Sequence, residues 1–262
     1  MPVTVLHLAP HPDDEAIGAP ATLLALRDAG HRVINVACSL GRTDQAPRRL
    51  AEVQEACRRA RFELVVCDPP LGISRSDDLA EAQRALAATV RRLVVEERVD
   101  VVVSPSPHDG HHGHEVVGRA ARDAVEALAP TPRLWLWGLW ADLPHPTLYA
   151  GFDEGRLGAV LHVLAAHEGE LVRNDYRALV RGRAMANRVL GCERVFGFGA
   201  GRRPGPYAEL VTEAVLRDGA WRAGGARELD PAAPLDGDDA PGAPLGWWLH
   251  GPSFADFLAQ WG

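Results

Sequence analysis

The chain has 262 residues, 47% hydrophobic and 24% charged, a globular composition that excludes global disorder and suits one large domain, with or without an appendage. Its 35 acidic residues outnumber the 28 basic ones for a net charge of −7, the wrong balance for tracking a phosphate backbone. All 28 basic residues are arginine, which excludes a Schiff-base or Walker-type lysine, and Cys38, Cys57, Cys67 and Cys192 form no CxxC pair of the kind that marks a zinc knuckle or a disulfide framework.

From Met1 the chain runs straight into a strand-like stretch without a signal-peptide pattern, and no apolar run reaches membrane-spanning length; a soluble cytoplasmic protein is expected. Short apolar runs then alternate with amphipathic ones in βαβ rhythm. The pattern predicts strands at residues 3–9, 33–39, 62–67, 99–104 and 134–139, and helices at 17–29, 47–59, 77–97 and 114–128. Gly30 stops the first helix in the usual position just past its end, and Pro47 sits in a first turn that tolerates proline. Strands this apolar imply a sheet covered on both faces. The fold class is therefore α/β, a Rossmann-like, doubly wound, mostly parallel sheet over residues 1–200, with a smaller C-terminal appendage over 201–262 packing on the same domain.

Beyond Leu139 helices are predicted at 153–167 and 175–190, followed by a glycine-rich loop at 197–205. Asp218-Gly219 reads as a hairpin turn, because both positions tolerate positive φ. Residues 231–246, rich in Pro, Gly, Ala and Asp, read as a loop. Phe254, Phe257, Leu258 and Trp261 lie at helical spacing after Ser253, a good N-cap.

Two segments carry chemistry. Pro10-His11-Pro12-Asp13-Asp14-Glu15 follows the first strand; three adjacent carboxylates repel one another, and a divalent cation among them inverts that penalty. A solvated acidic turn capping the next helix is the plainer explanation, but Pro12 stiffens the turn and aims His11. His108-Asp109-Gly110-His111-His112-Gly113-His114-Glu115 follows the strand at 99–104, and four histidines in seven residues have few structural uses. His114-Glu115 begins like a zincin helix, yet Gly118 takes the second histidine's place, so a zincin is excluded. In a doubly wound sheet ligands bind beyond the carboxyl ends of the strands where strand order reverses, which brings the two segments face to face. Histidines with a carboxylate there suit a catalytic zinc that keeps an open position.

The stretch Ala9-Pro10-His11-Pro12-Asp13-Asp14-Glu15, with Gly18 after it, resembles the hallmark of the LmbE/PIG-L family of zinc-dependent N-acetylglucosamine deacetylases. His111-x-x-His114-x-x-x-Gly118 resembles its second motif, Arg49-x-x-Glu52 its R-x-x-E helix, and Gly191-x-Glu193-x-x-Phe196 its closing element. The resemblance implies that His11, Asp14 and His114 hold Zn2+, that Asp13 is the general base, that His111 stands, protonated, by the developing oxyanion or leaving amine, and that Arg49 contacts substrate. His112 is the rival for the role of His111 and His108 a weaker one, and Glu15 is expected to orient rather than ligate. Adjacent Asp13 and Asp14 cannot easily face one metal, which agrees with this division of labour. Many members carry Asp where this chain has Gly113.

The resemblance further implies a small-molecule N-acetyl amino-sugar substrate, such as an antibiotic intermediate in secondary metabolism, with no nucleic-acid or membrane partner; a homo-oligomer is compatible with the sequence. A mycothiol-type precursor and an amidase removing a larger acyl group are the near alternatives. A non-hydrolytic sugar- or nucleotide-binding Rossmann protein is the alternative of another class, and the absence of GxGxxG after the first strand counts against it. His7 reads as a hydrogen-bonded core histidine; His167 resembles a family position near the sugar pocket but reads as a helix-surface histidine; and Trp135, Trp137 and Trp140 read as core rather than sugar platforms. Arg42 and Asp68 suit substrate contacts or loop salt bridges equally, and Trp247, Trp248 and Trp261 suit a lid or an oligomer contact.

Overall fold

A computed structural model describes residues 1–235 and 242–252. The terminal helix expected after Ser253 and part of the 231–246 loop lie outside the described residues. In chain order the elements are β1 (Thr4–Ala9), α1 (Asp14–Ile17), α2 (Pro20–Asp28), β2 (Arg32–Ala37), α3 (Ala46–Ala60), β3 (Glu63–Val66), α4 (Leu79–Glu97), β4 (Val101–Pro105), α5 (His112–Glu126) and β5 (Arg133–Trp137). They continue with β6 (Leu148–Phe152), α6 (Glu154–Leu164), α7 (Glu168–Arg173), α8 (Tyr176–Phe196), β7 (Tyr207–Arg217), β8 (Ala220–Ala223), β9 (Arg227–Glu228) and α9 (Gly246–Leu249).

The strands order as β3-β2-β1-β4-β5-β7-β6-β9, with β8 paired to β7. The first five are parallel; β7 runs antiparallel to β5 and β6. This is the predicted α/β fold, and the chain reverses direction across the sheet between β1 and β4, where the two chemistry-bearing segments emerge. Residues 207–217, read from the sequence as part of a C-terminal appendage, form the strand that extends the same sheet.

Strand periodicity divides the core. Val5, Val33, Val101, Val103, Trp135 and Trp137 face the layer built by α2, α3, α6 and α8. Their neighbours Leu6, Leu8, Ile34, Val36, Val102, Leu134 and Leu136 face α4 and α5. The hairpin turn stands as predicted, with Asp218 at φ 49° and Gly219 at φ 73°.

Two differences from the sequence reading have local causes. The helix predicted at 17–29 breaks into α1 and α2 at Gly18-Ala19, and Ala19 offers no capping side chain. Glu209 of β7 supplies the cap from across the sheet, accepting from the backbone N–H groups of Ala21 (2.8 Å) and Thr22 (2.7 Å) and from the Thr22 hydroxyl. Strand β6 is short, carries Gly151 inside it and is held by long-range pairing to β7, so no local run announces it.

Candidate metal centre and active site

The loop after β1 and the start of α5 after β4 meet above the carboxyl edge of the sheet. His11, His111 and His114 each present a ring nitrogen, and these atoms lie within 4.8 Å of one another. Asp14 lies between two of the rings, its Oδ2 3.3 Å from His11 Nδ1 and its Oδ1 3.3 Å from His114 Nε2. Imidazoles and a buried carboxylate converging at this spacing fit a zinc-type cation, and His111 Nδ1 is a buried polar atom with no protein partner. The structure brings His11, Asp14, His111 and His114, all singled out in the sequence, to one place.

Burial alone would raise the Asp14 carboxyl, but the His114 and His11 rings hold it well below the usual carboxylate range. Burial likewise opposes charge on His114, and the Asp14 and Asp109 carboxylates overcome it, pushing the imidazole up to about 10. His111 is pushed down to about 3 by burial and by the neighbouring His11 and His114 rings. That direction runs against the imidazolium expected from the resemblance.

Asp109 is the residue that sequence reasoning quoted but did not assign. Its Oδ2 lies 2.7 Å from His114 Nδ1, the carboxylate–histidine pairing that orients a metal ligand. Its Oδ1 accepts from the backbone N–H groups of Leu139 (2.7 Å), Trp140 (3.1 Å) and Ala141 (3.3 Å). Gly113 sits tightly against the cluster: a Cβ there would come within 3.1 Å of the His11 ring and of Ile73.

Asp13 faces the same cluster from a left-handed backbone, φ 139°, a costly conformation for a residue other than glycine. Its carboxyl is raised well above the usual range by burial and then by Asp14, while His167 and Arg49 act in the opposite direction. The loop is held from several sides. Arg49 donates to the Pro12 carbonyl (3.0 Å), with Nη2 3.8 Å from Asp13 and Nη1 3.4 Å from Glu170. Glu15 accepts from the Asp13 N–H through Oε2 (3.2 Å), and its Oε1 lies 2.5 Å from His167 Nε2.

His167 is thus fully buried at the start of α7 and touches the loop, which corrects the helix-surface reading; its partner lies 152 positions away, beyond the reach of local pattern. His7 is a core residue paired to Asn35 at 2.7 Å, as expected.

The cluster floors a cavity of about 850 Å³. His112 lines it and stacks on His111 at 4.5 Å, whereas His108 bonds to the Trp248 carbonyl on α9 and does not line it. Arg42 lines it while paired to Asp44; Asp68 is exposed. Trp135 and Trp137 are core, but Trp140, read from the sequence as core, lines the cavity with 45% of its surface exposed. Among the described residues none after Tyr176 lines the cavity: Trp248 packs in the core beside α5 and Trp247 is exposed, while Trp261 lies outside the described residues. Among the described residues no helix is long and apolar enough to cross a membrane.

The PIG-L family, described as GlcNAc-PI de-N-acetylase, matches residues 6–125, the stretch that holds both site segments. A diacetylchitobiose deacetylase of Thermococcus kodakarensis is 29% identical over 158 residues, which cover 56% of this chain and 58% of the relative's length. The zinc-inhibited form of teicoplanin deacetylase Orf2 shares the fold at a TM-score of 0.60 and 15% identity, covering 82% of this chain and 99% of that one. GalB of Pseudomonas putida, a 4-carboxy-2-hydroxymuconate hydratase, does so at 0.58 and 17%, covering 83% and 98%. Taken together, the chain resembles the PIG-L (LmbE-like) family over residues 6–125, which carry both histidine- and carboxylate-bearing loops, and it shares the fold of the solved deacetylase structure.

Proposed function

We propose that this protein is a zinc-dependent N-deacetylase that hydrolyses the acetamide of an N-acetylglucosaminyl small molecule to a free amine and acetate. The observation that carries the reading is a buried carboxylate, Asp13, poised beside a cluster of three imidazoles and Asp14 at the floor of a large cavity. A binding protein has no use for a second buried acid held in a costly backbone conformation. The family description and the likeness to a diacetylchitobiose deacetylase support the substrate class.

His11, Asp14 and His114 would hold the metal, which when bound supplies Lewis-acid polarisation of the acyl carbonyl and a more acidic water. Asp13 accepts the proton of the attacking water as the new C–O bond forms. The raised proton affinity of Asp13 suits it to pass that proton to the departing nitrogen as the C–N bond breaks. Neutral His111 donates one N–H toward the oxygen on which charge develops. Arg49 braces the Asp13 loop from the cavity wall and is placed to meet substrate hydroxyls. The likeness to a teicoplanin deacetylase and the size of the cavity support an intermediate of secondary metabolism as substrate, handled in the cytoplasm.

The test is mass-spectrometric detection of acetate and free amine from a panel of N-acetylglucosaminides, with zinc-loaded and chelated protein side by side. Metal-dependent release is expected. Zinc-loaded protein that releases nothing from acetyl substrates but cleaves longer acyl chains would replace deacetylation with the larger-acyl amidase; inertness on both would sink hydrolysis.

A further inference from the structure

The cavity volume of about 850 Å³ lies near the top of the ~300–1,000 Å³ range of pockets for drug-sized molecules, well beyond the needs of one sugar ring. Trp140 stands on its wall with 45% of its surface exposed, whereas Trp135 and Trp137, a few residues earlier, are 0% and 1% exposed. An indole left in a concave, polar site invites an apolar partner face.

Nor is the indole carried on a slack loop. Asp109 Oδ1 holds the backbone N–H groups of Leu139, Trp140 and Ala141. From α8, Arg183 donates to the Gly138 carbonyl (3.2 Å) and to Asp142 (2.9 Å), and Arg194 donates to the Leu143 carbonyl. The other oxygen of Asp109 is bonded to His114. One carboxylate therefore fixes both a ring of the metal cluster and the strand of backbone that bears the indole, setting the two at a constant separation. Preorganisation of this kind lowers the ordering cost of binding.

We propose that Trp140 is a stacking platform for a second ring of the substrate, joined to the acylated amino sugar whose amide reaches the His11–Asp14–His114 cluster. Either the C–H face of a pyranose or an aromatic aglycone presents the required flat apolar surface. The proposal rests on the deacetylase reading above and names Trp140 as a determinant of which amino sugars are accepted.

The experiment compares zinc-loaded wild type, Trp140→Ala and Trp140→Phe on N-acetylglucosamine, N,N′-diacetylchitobiose and p-nitrophenyl N-acetyl-β-glucosaminide. Trp140→Ala is expected to lose about tenfold in kcat/KM, through KM, on one or both two-ring compounds and less than about threefold on the monosaccharide. Trp140→Phe should keep most of the preference. Which two-ring compound suffers identifies the face that stacks. An equal loss on all three compounds, or no loss on either two-ring compound, overturns the platform. Calorimetric binding of the same compounds to zinc-loaded Asp13→Asn protein, with and without Trp140→Ala, separates the platform from the reaction. Two-ring binding weakened about tenfold by Trp140→Ala, in an enzyme whose wild type turns nothing over, upholds the platform and overturns deacetylation alone. Binding that is absent, or indifferent to Trp140, overturns the platform.

Discussion

Two regions of this molecule bury carboxylates, and they do so in opposite ways. In the antiparallel half of the sheet, Glu213 on β7 is enclosed by Trp135 Nε1 (3.0 Å), Arg133 (3.2 Å) and both Nη atoms of Arg227 (2.7 and 3.1 Å). Glu209 on the same strand is consumed by the start of α2. At the carboxyl edge of β1, by contrast, Asp13 and Asp14 are buried side by side, Arg49 stands 3.8 Å from Asp13, and Asp14 faces His11 and His114, rings that a cation would claim. A buried acid whose partners match its charge is architecture. One that lacks them is where an external positive group and a reaction belong.

The sharpest way to break this contrast is to neutralise one acid of each kind. Asp13→Asn should lower kcat on the order of 10³-fold while zinc content, read by elemental analysis, is retained. Undiminished turnover would remove Asp13 from the reaction. Glu213→Leu should instead cost roughly 3 kcal/mol in denaturant unfolding, by removing the carboxylate that Arg133, Arg227 and Trp135 share, with kcat/KM of the folded enzyme within about threefold of wild type. A stability unchanged by that substitution would erase the distinction from the other side.

A smaller effect is expected from Asp109→Asn, which leaves a weaker partner on His114. Zinc affinity in a chelator competition should fall by about 10- to 100-fold. In the same competition His111→Ala should shift affinity less than Asp14→Ala or His114→Ala; the reverse order would make His111 the ligand in place of Asp14. The gentlest test is pH. His114 is raised from an ordinary 6.5 to about 10, so its pairing with Asp14 and Asp109 contributes to the stability of chelated protein fully below about 6.5 and is lost as pH rises through about 10. Melting temperatures of chelated protein should decline across that window, and zinc loading near pH ~8 should release a proton, visible in calorimetry in buffers of different ionisation enthalpy. A flat profile with no proton release would show that the Asp14–His114–Asp109 pairing contributes nothing.

The parallel half of the fold was legible because its strands are continuous apolar runs and its helices carry clean periodicity and stops, as at Gly30. The antiparallel half was not, because β6 and β9 are short and exist only through partners distant in sequence. The site divides in the same way. His11, Asp13, Asp14, His111 and His114 stood out as dense local strings. The groups that hold them, Glu15 with His167, Arg49 with Glu170 and Asp109 with the 139–141 backbone, are pairings of fold-level origin. Glu15 in the acidic string, Arg49 in the R-x-x-E helix and Asp109, two positions before His111, had local clues; their partners His167, Glu170 and the 139–141 backbone did not.

The cap that Glu209 places on α2 bears on synthesis at the ribosome. The first βαβ units emerge early, but the leading N–H groups of α2 gain their acceptor only when a strand nearly 190 residues downstream has been translated and has docked. A nascent chain halted after residue 125 therefore carries a helix start, just beyond the Asp13–Asp14 loop, without its acceptor.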